Sequence, residues 1–167
     1  RMIINIPILS DIVFYPYKKA AESTYKYADG IVGTSEEYTK RAWKNNRRII
    51  PNRTVYVGCD ILKFDDEACS CLEKIEKPEN EFWITYAGTI GHSYAIDNLV
   101  RVGKLLKRNN VKNVKIKILG SGSLKEEVEN LAKTFGCDNV EFLGYVEHPV
   151  MSAYLVKSDI VVNSFAK

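Results

Sequence analysis

The sequence has little of what marks a membrane span, a disulfide framework or a metal site. No apolar run approaches the ~20 residues of a membrane-spanning helix. Its 167 residues hold two histidines and four cysteines, and the cysteines do not form the paired C-x-x-C units of a zinc site. We therefore expect no metal and no cofactor, and we expect reduced cysteines such as a cytoplasmic protein carries.

The net charge is also small. A formal charge of +3 does not predict a nucleic-acid partner, because nucleic-acid-binding domains usually carry a basic stripe and a pI above ~9. One local cluster of cations surrounds Trp43: Lys40, Arg41, Lys44, Arg47 and Arg48. A solvated helix face explains it best, and peripheral contact with an anionic membrane is the alternative. The expected location is the cytoplasm, and the inner face of the membrane is the alternative.

The first part of the chain predicts only short elements. A helix over residues 11–28 contains Pro16 near its start, because proline fits the first turn but not an interior one. Residues 31–34 predict a buried strand, Ser35 the N-cap of a second helix, and residues 54–57 a further strand. Residues 60–81 lose periodicity and fill with acidic residues, lysine and proline, so they contain the best linker candidate.

From residue 82 onward, strands and helices alternate. The expected strands are residues 82–87, 114–119, 140–143 and 159–163, and the helices between them are residues 94–107, 124–135 and 149–157. This alternation predicts an α/β fold with a Rossmann-like, doubly wound parallel sheet in the order 3-2-1-4. The helix ends agree: Ser123 and Glu126 fit a capping box, Gly136 a left-handed cap, and Pro149 a first helical position.

The stretch FWITYAGTIGHS, residues 82–93, is the clearest candidate site. An uncharged strand runs into a turn on Gly88 and Gly91, and the next helix is expected to begin near Ser93 or Tyr94. Glycine allows positive φ and close approach of a ligand, and a helix N-terminus presents free N–H groups and a positive dipole end. The stretch therefore predicts a phosphate site. His92 lies in this turn, where a lone histidine is more often structural or solvated than catalytic.

A second glycine loop reads Gly120-Ser121-Gly122-Ser123. It differs from the dinucleotide fingerprint G-x-G-x-x-G because Lys125 stands where the third glycine belongs. A tight structural turn and a ligand loop explain it equally well. By the predicted strand order, the crevice opens between the first and fourth strands, so both glycine loops and the segment from Asn163 onward border the ligand.

Taken together, several segments resemble the GT-B glycosyltransferases often called family 4. Each segment is weak alone, but as an ordered set they are specific. They are ADGIVGTSEEYTKRA (residues 28–42), VYVGCDILKF (55–64), YAGTIGHSYAIDNLV (86–100), KIKILGSGSLKEEVENLA (115–132), NVEFLGYV (139–146) and KSDIVVNS (157–164).

The resemblance implies part of a two-domain enzyme that moves a sugar from a nucleoside diphosphate sugar to an acceptor. Residues 1–64 would be the last part of the acceptor-side domain, and residues 81–167 would be the first part of the donor-side domain. Residues 65–80 would be the linker between the two domains. It further implies a retaining hexosyltransferase of polysaccharide or glycan biosynthesis, with a glycan or lipid-linked acceptor. The chain would lack the family's Glu-x7-Glu segment and most of the acceptor side, so alone we expect no transfer, and exposed apolar surface favours self-association.

The resemblance also assigns residues, none of them catalytic. The first glycine turn would face the diphosphate, the second glycine loop would border the nucleoside, and residues 144–146 would hold the base through backbone groups. Family members often carry cations in the diphosphate loop, and residues 89–96 have none. The expected donor-binding set is Gly88, Thr89, Ile90, Gly91, His92, Ser93, Gly120, Ser121, Gly122, Gly144, Tyr145, Val146, Asn163 and Ser164.

Two other functions remain as alternatives. A nucleotide-binding or interaction module without catalysis would use the same glycine loops, and no residue in the chain has a convincing general-base or nucleophile partner. A dinucleotide-dependent oxidoreductase domain is disfavoured, because the third glycine and the acidic ribose ligand are missing.

Overall fold

A computed structural model describes residues 7–46 and 48–166 of the chain, with side chains from residue 11. The chain divides into two compact units, Arg1–Cys59 and Asp60–Lys167, and each is described by itself. The first unit holds α1 (Pro7–Tyr27), β1 (Ile31–Gly33), α2 (Glu36–Lys44) and β2 (Asn52–Thr54). The second holds α3 (Ile61–Cys69), a 3-10 turn (Leu72–Lys74), β3 (Phe82–Ala87), α4 (Ile96–Arg108), β4 (Val114–Leu119), α5 (Lys125–Thr134), β5 (Val140–Gly144), α6 (His148–Lys157) and β6 (Ile160–Val161).

The first unit is built on two short parallel strands. β1 and β2 pair with Ile31 opposite Asn52, and the amide of Val55 donates to the Gly33 carbonyl just past the strand ends. The expected strand over residues 54–57 is therefore wrong by about three positions, because the pairing with β1 ends where the run of apolar residues begins. Pro16 lies inside α1 rather than in its first turn, because the helix begins earlier than predicted.

The predicted cap of α2 is confirmed. The side-chain oxygen of Ser35 accepts a hydrogen bond from the Tyr38 amide, which satisfies one of the free N–H groups at the start of the helix. Behind the cap, the buried Thr39 hydroxyl bonds the Ser35 carbonyl and the Thr54 hydroxyl. Ile31, Ala42 and Ile50 form the small core beneath it.

The expected linker contains a helix and a 3-10 turn. α3 packs on α6, and a cluster of Cys71, Ile75, Trp83 and Ala153 joins the following turn to β3 and α6. No helical period marks this segment because α3 spans nine residues and buries only Ala68. Assignment of the flanking segments to acceptor-side and donor-side domains stays a prediction.

The sheet of the second unit has the predicted topology. Its order is β5-β4-β3-β6 with every pair parallel, which is the expected 3-2-1-4 in chain order. α4 and α5 cover one face through a core that includes Val100, Ile116 and Val128, and α6 packs on Trp83 at the other. The carboxyl ends of all four strands therefore lie at one edge, where ligands bind in such sheets.

Two helix starts and one strand differ from expectation. α4 begins at Ile96 rather than near Ser93 or Tyr94, and the capping box fails because Leu124 is the N-cap of α5 and makes no side-chain cap bond. β6 is two residues long, so the strand expected over residues 159–163 is short. Gly136 does take the left-handed conformation, with φ of 61°, and Pro149 lies in the first turn of α6.

Candidate functional site

A cavity of about 320 Å³ opens at the carboxyl ends of β3, β4 and β5. Three loops border it, those that begin at Gly88, Gly120 and Tyr145, and α6 adds Met151. Among the described residues that line it, no side chain is charged. They are Ala87, Gly88, Thr89, Leu119, Gly120, Ser121, Tyr145, Val146 and Met151.

The two glycine loops meet backbone to backbone. The Gly88 amide donates to the Leu119 carbonyl at 2.9 Å, and the Ile90 amide donates to the Ser121 carbonyl at 2.9 Å. Gly120 has φ of 133°, and a Cβ there would stand 1.9 Å from the Gly88 carbonyl oxygen. The same holds for Gly122, whose Cβ would stand 2.2 Å from the Ile90 oxygen. The contact therefore requires glycine on the second loop.

This geometry corrects the backbone conformation expected for the first turn. Neither Gly88 nor Gly91 has a positive φ, and two amides of the turn, those of Gly88 and Ile90, are already bonded within the protein. A Cβ at Gly88 would instead meet the Tyr86 hydroxyl at 2.8 Å. Gly88 is thus constrained by a side chain beneath it, and the left-handed glycines belong to the loops after β4 and β5.

The loop after β5 continues this arrangement. The Gly120 amide donates to the Gly144 carbonyl at 2.6 Å, and Gly144 itself has φ of 71°. The β4–β5 register shifts next to this point, with Leu119 opposite Gly144, so the end of β5 bulges beside the cavity. Tyr145 follows and is 72% exposed, which leaves its ring available to a ligand.

A second cavity of about 350 Å³ lies at the carboxyl ends of β3 and β6. This is the crevice that the strand order predicts, and Asn163 borders it as expected. Three aromatic side chains line it: the rings of Tyr94 and Phe165 are 5.5 Å apart, and Tyr86 meets Tyr94 edge-on. Ala87 and Gly88 line both cavities, so the end of β3 separates them.

The Tyr86 side chain supports the glycine turn from below. It is buried, and its hydroxyl donates to the Thr89 carbonyl at 2.8 Å. Burial, and secondarily the nearby Tyr94, raise the pKa of this phenol above its ordinary value of 10.0. Tyr86 therefore stays protonated and remains a hydrogen-bond donor at neutral pH.

Comparison with known proteins decides the family. The profile of a protein family described as "Glycosyl transferases group 1" matches residues 72–165, which is more than half of the chain. The chain belongs to this family. No curated protein matches the sequence significantly.

Solved structures share the fold at low identity. The chain is similar to HepE from Anabaena in complex with UDP-glucose, at 13% identity and a TM-score of 0.67, over 89% of this chain and 41% of that one. A mutant of S. aureus TarM in complex with fondaparinux, alpha-GlcNAc-glycerol and UDP matches at 18% identity and 0.62, over 87% and 27%. WaaG, a glycosyltransferase involved in lipopolysaccharide biosynthesis, matches at 13% and 0.64, over 81% and 38%.

These likenesses confirm the fold as that of GT-B glycosyltransferases. The chain spans between about a quarter and two fifths of the length of these structures. Activity, substrates and partners of a whole enzyme are therefore matters of proposal for this chain.

Some of the predicted donor-binding residues lie together in the structure. Six predicted residues line the first cavity, and Gly88 and Asn163 line the second. Ile90 is 1% exposed and packs in the core, so its side chain is unavailable to a donor. Gly91, His92, Ser93, Gly122, Gly144 and Ser164 border neither cavity.

The segment before α4 is tied to the segment after β6. The Ala95 amide donates to the Ser164 carbonyl at 3.3 Å, and the Ser164 hydroxyl donates to the Ala95 carbonyl at 3.0 Å. The Ala166 amide donates to the Ser93 carbonyl at 3.0 Å. Ser93 and Ser164 therefore position these two loops, which is a structural role that the sequence pattern could not reveal.

Sequence reasoning missed several residues of the site. Met151, Tyr94 and Phe165 line the cavities but carry no motif, because they converge only through tertiary structure. Lys125 is a further case: its ammonium lies 3.7 Å from where a Cβ of Gly144 would stand, and it pairs with Glu129 at 3.6 Å. This lysine supplies a cation near the loop after β5, whereas the first glycine turn has none.

The cations around Trp43 are partly neutralised. Lys40 pairs with Glu36 at 2.9 Å, and Arg48 pairs with Asp29 at 3.0 Å and also bonds the Ala28 carbonyl. Arg47 lies outside the described residues. Within the part of the chain that the structure describes, no helix is long and apolar enough to cross a membrane.

Proposed function

We propose that the second unit binds the nucleoside diphosphate of a sugar donor in the cavity at the ends of β3, β4 and β5. The observation that carries the proposal is the convergence of three loops on one uncharged cavity at the ligand-binding edge of a parallel sheet. The base and ribose occupy the side of Tyr145 and Val146, and the diphosphate lies toward Gly88 and Thr89. Family membership supports this reading.

Uridine is the first base to test. The similar structures of HepE and TarM hold UDP-glucose and UDP respectively. Charge on the departing diphosphate would be met by amides of the turn other than those of Gly88 and Ile90 and by Lys125, because preorganised donors usually supply the largest part of catalysis. Retention of anomeric configuration, a role in polysaccharide or glycan synthesis, and a glycan or lipid-linked acceptor are further parts of the proposal.

The proposal for this chain alone is binding without transfer. Positioning of two substrates can lower a barrier by about 7 to 11 kcal/mol, and it needs both walls of a cleft. The chain spans well under half of the length of its structural neighbours. We therefore expect this chain to bind UDP-sugars without turning them over. A non-catalytic nucleotide-binding module would behave in the same way, and the two functions differ in the full-length protein, which transfers sugar only if it is an enzyme.

Nucleotide titration followed by NMR chemical shifts tests the site. UDP should shift the amides of residues 88–89, 120–121 and 145–146 more than GDP or ADP does. Tyr145→Ala should weaken UDP binding several-fold, because Tyr145 is exposed at the cavity. Tyr38→Ala is the matched control, since Tyr38 is 63% exposed and belongs to the first unit. Shifts confined to residues 11–59, or equal loss in both variants, would refute the assignment.

Peripheral membrane contact through the cations around Trp43, and self-association, remain predictions. The Glu36 and Asp29 pairs reduce the charge that α2 can offer to a membrane. Val55, Tyr56 and Val57 are exposed in the first unit, which supports self-association of the isolated chain.

A further inference from the structure

The chain carries a long stretch without acidic residues. Between Asn98 and Lys125 there is no aspartate or glutamate, and eight of the 24 lysines and arginines fall within these 28 residues. The stretch covers most of α4, all of β4 and the loops that follow each of them. Positive charge is therefore concentrated in this part of the second unit, although the net charge of the whole chain is only +3.

The outward side of α4 gathers three of these cations. Leu99, Val100 and Gly103 face the core, so the helical period turns Arg101, Lys104 and Arg108 to solvent. Val102 is 40% exposed and Leu105 is 50% exposed on the same helix. Cationic and apolar side chains are thus interleaved on an exposed helix surface.

Some of the cations in the stretch are neutralised and others are not. Lys107 pairs with Asp138 at 3.0 Å, and the buried Lys117 pairs with Glu141 at 2.6 Å. Arg101 is 3.3 Å from Asp97. Within the described ranges 7–46 and 48–166, Lys104, Arg108 and Lys112 have no salt bridge. Lys104 instead lies over the Phe135 ring at 3.9 Å.

The cationic character continues past the end of α4. Lys107, Lys112 and Lys115 border a recess of about 390 Å³, together with Asn110 and Asn139, and Asp138 is the one acidic residue that lines it. Asn110 takes the left-handed conformation with φ of 61°, which turns the chain sharply between α4 and β4. The turn keeps Lys112 exposed beside the recess.

We propose that Arg101, Val102, Lys104, Leu105, Arg108 and Lys112, here called the α4 basic surface, dock on an anionic lipid membrane. Charge complementarity favours an anionic partner, and the exposed Val102 and Leu105 favour a bilayer, whose headgroup region accepts apolar side chains between cations. A single-stranded nucleic acid would stack its bases on aromatic residues, and the six residues of this surface include none. The proposal is independent of nucleotide binding, since the surface lies outside both cavities at the strand ends.

Vesicle flotation with the 167-residue chain, without nucleotide, tests the proposal. Binding should be seen with vesicles of phosphatidylcholine and phosphatidylglycerol, should be absent with phosphatidylcholine alone, and should weaken as salt rises. Each cation near an anionic surface contributes roughly fivefold, so the triple variant Lys104→Gln, Arg108→Gln and Lys112→Gln should bind about a hundredfold more weakly. Leu105→Ser should lose a smaller factor.

Two matched triple variants remove the same charge elsewhere. Lys26→Gln, Lys63→Gln and Lys74→Gln should bind like the parent chain, whereas Lys40→Gln, Arg41→Gln and Lys44→Gln on α2, where Glu36 already neutralises part of the charge, should lose a much smaller factor than the α4 variant. Circular dichroism would show that all three variants are folded. Equal loss of vesicle binding in all three variants would show that only net charge matters, and selective loss in the α2 variant would place the contact on α2. Either result would overturn the proposal. So would the absence of vesicle binding, or binding to an acidic protein or to RNA instead.

Discussion

Gly120→Ala tests the packing of the two glycine loops most directly. The residue has φ of 133°, where a non-glycine residue costs of order 1–3 kcal/mol. Its new methyl group would also stand 1.9 Å from the Gly88 oxygen, so the loops must separate, and overpacking typically costs about 1–3 kcal/mol more. The two effects predict a loss of about 2–6 kcal/mol in the free energy of unfolding, against a total of about 5–15 kcal/mol for a domain.

Gly136→Ala is the matched control for this prediction. Gly136 also has a positive φ, 61°, but a Cβ there would meet nothing within 4 Å. The free energy of unfolding of this variant should fall only by the cost of the left-handed conformation, about 1–2 kcal/mol. The lower entropy of its unfolded chain offsets part of that loss. Gly58→Ala, with open space and no positive φ, should be close to neutral.

Urea denaturation followed by circular dichroism measures the three free energies of unfolding. UDP titration of the folded fraction then reports whether separating the loops also weakens binding, which the shared cavity predicts. If Gly120→Ala costs no more than Gly136→Ala, the close approach of Gly120 to the Gly88 carbonyl does not constrain the loops, and the argument for backbone-to-backbone packing fails.

Two further predictions concern single contacts. Tyr86→Phe removes the hydrogen bond to the Thr89 carbonyl and should cost about 1 kcal/mol in urea denaturation while the cavity keeps its shape; an unchanged midpoint would contradict the bond. The Lys77 ammonium, and next the Trp83 amide, hold the pKa of Asp159 below its ordinary 3.8. Because the folded state binds this proton less readily, its contribution to stability is complete above pH 3.8 and disappears as pH falls through the lower folded pKa. The Asp159→Asn variant should therefore lose less stability than the parent on acidification through that window, and identical losses would contradict the argument.

The sheet could be predicted closely because its signal is local. Segments rich in β-branched residues that end at a glycine predicted β3 and β4 with their observed ends, and alternation with helices predicted the parallel sheet. α3 escaped prediction for the opposite reason: it is short, acidic on its exposed side, and buries mainly an alanine. Its position depends on contacts with α6, which no local pattern contains.

The candidate site shows the same division. The strand order predicted that both glycine loops and the segment from Asn163 would border one crevice. The two glycine loops line the first cavity with the loop after β5, so that six residues of the expected set meet there, whereas Asn163 lines the second cavity. Which glycines adopt positive φ could not be inferred, because Gly120 and Gly122 are required by contacts with another loop rather than by their own turn. Tyr94 and Phe165 likewise meet only after the chain has folded.

The wall between the two cavities is the backbone of Ala87 and Gly88. A ligand confined to either cavity touches one side of this wall, whereas a ligand long enough to bend over Gly88 touches both. The end of β3 would thus select ligands by reach: affinity should rise in steps as a molecule is extended from nucleoside to diphosphate to sugar, with the largest step at the group that first crosses Gly88. A side chain at that position would collide with the Tyr86 hydroxyl beneath it and displace the wall itself.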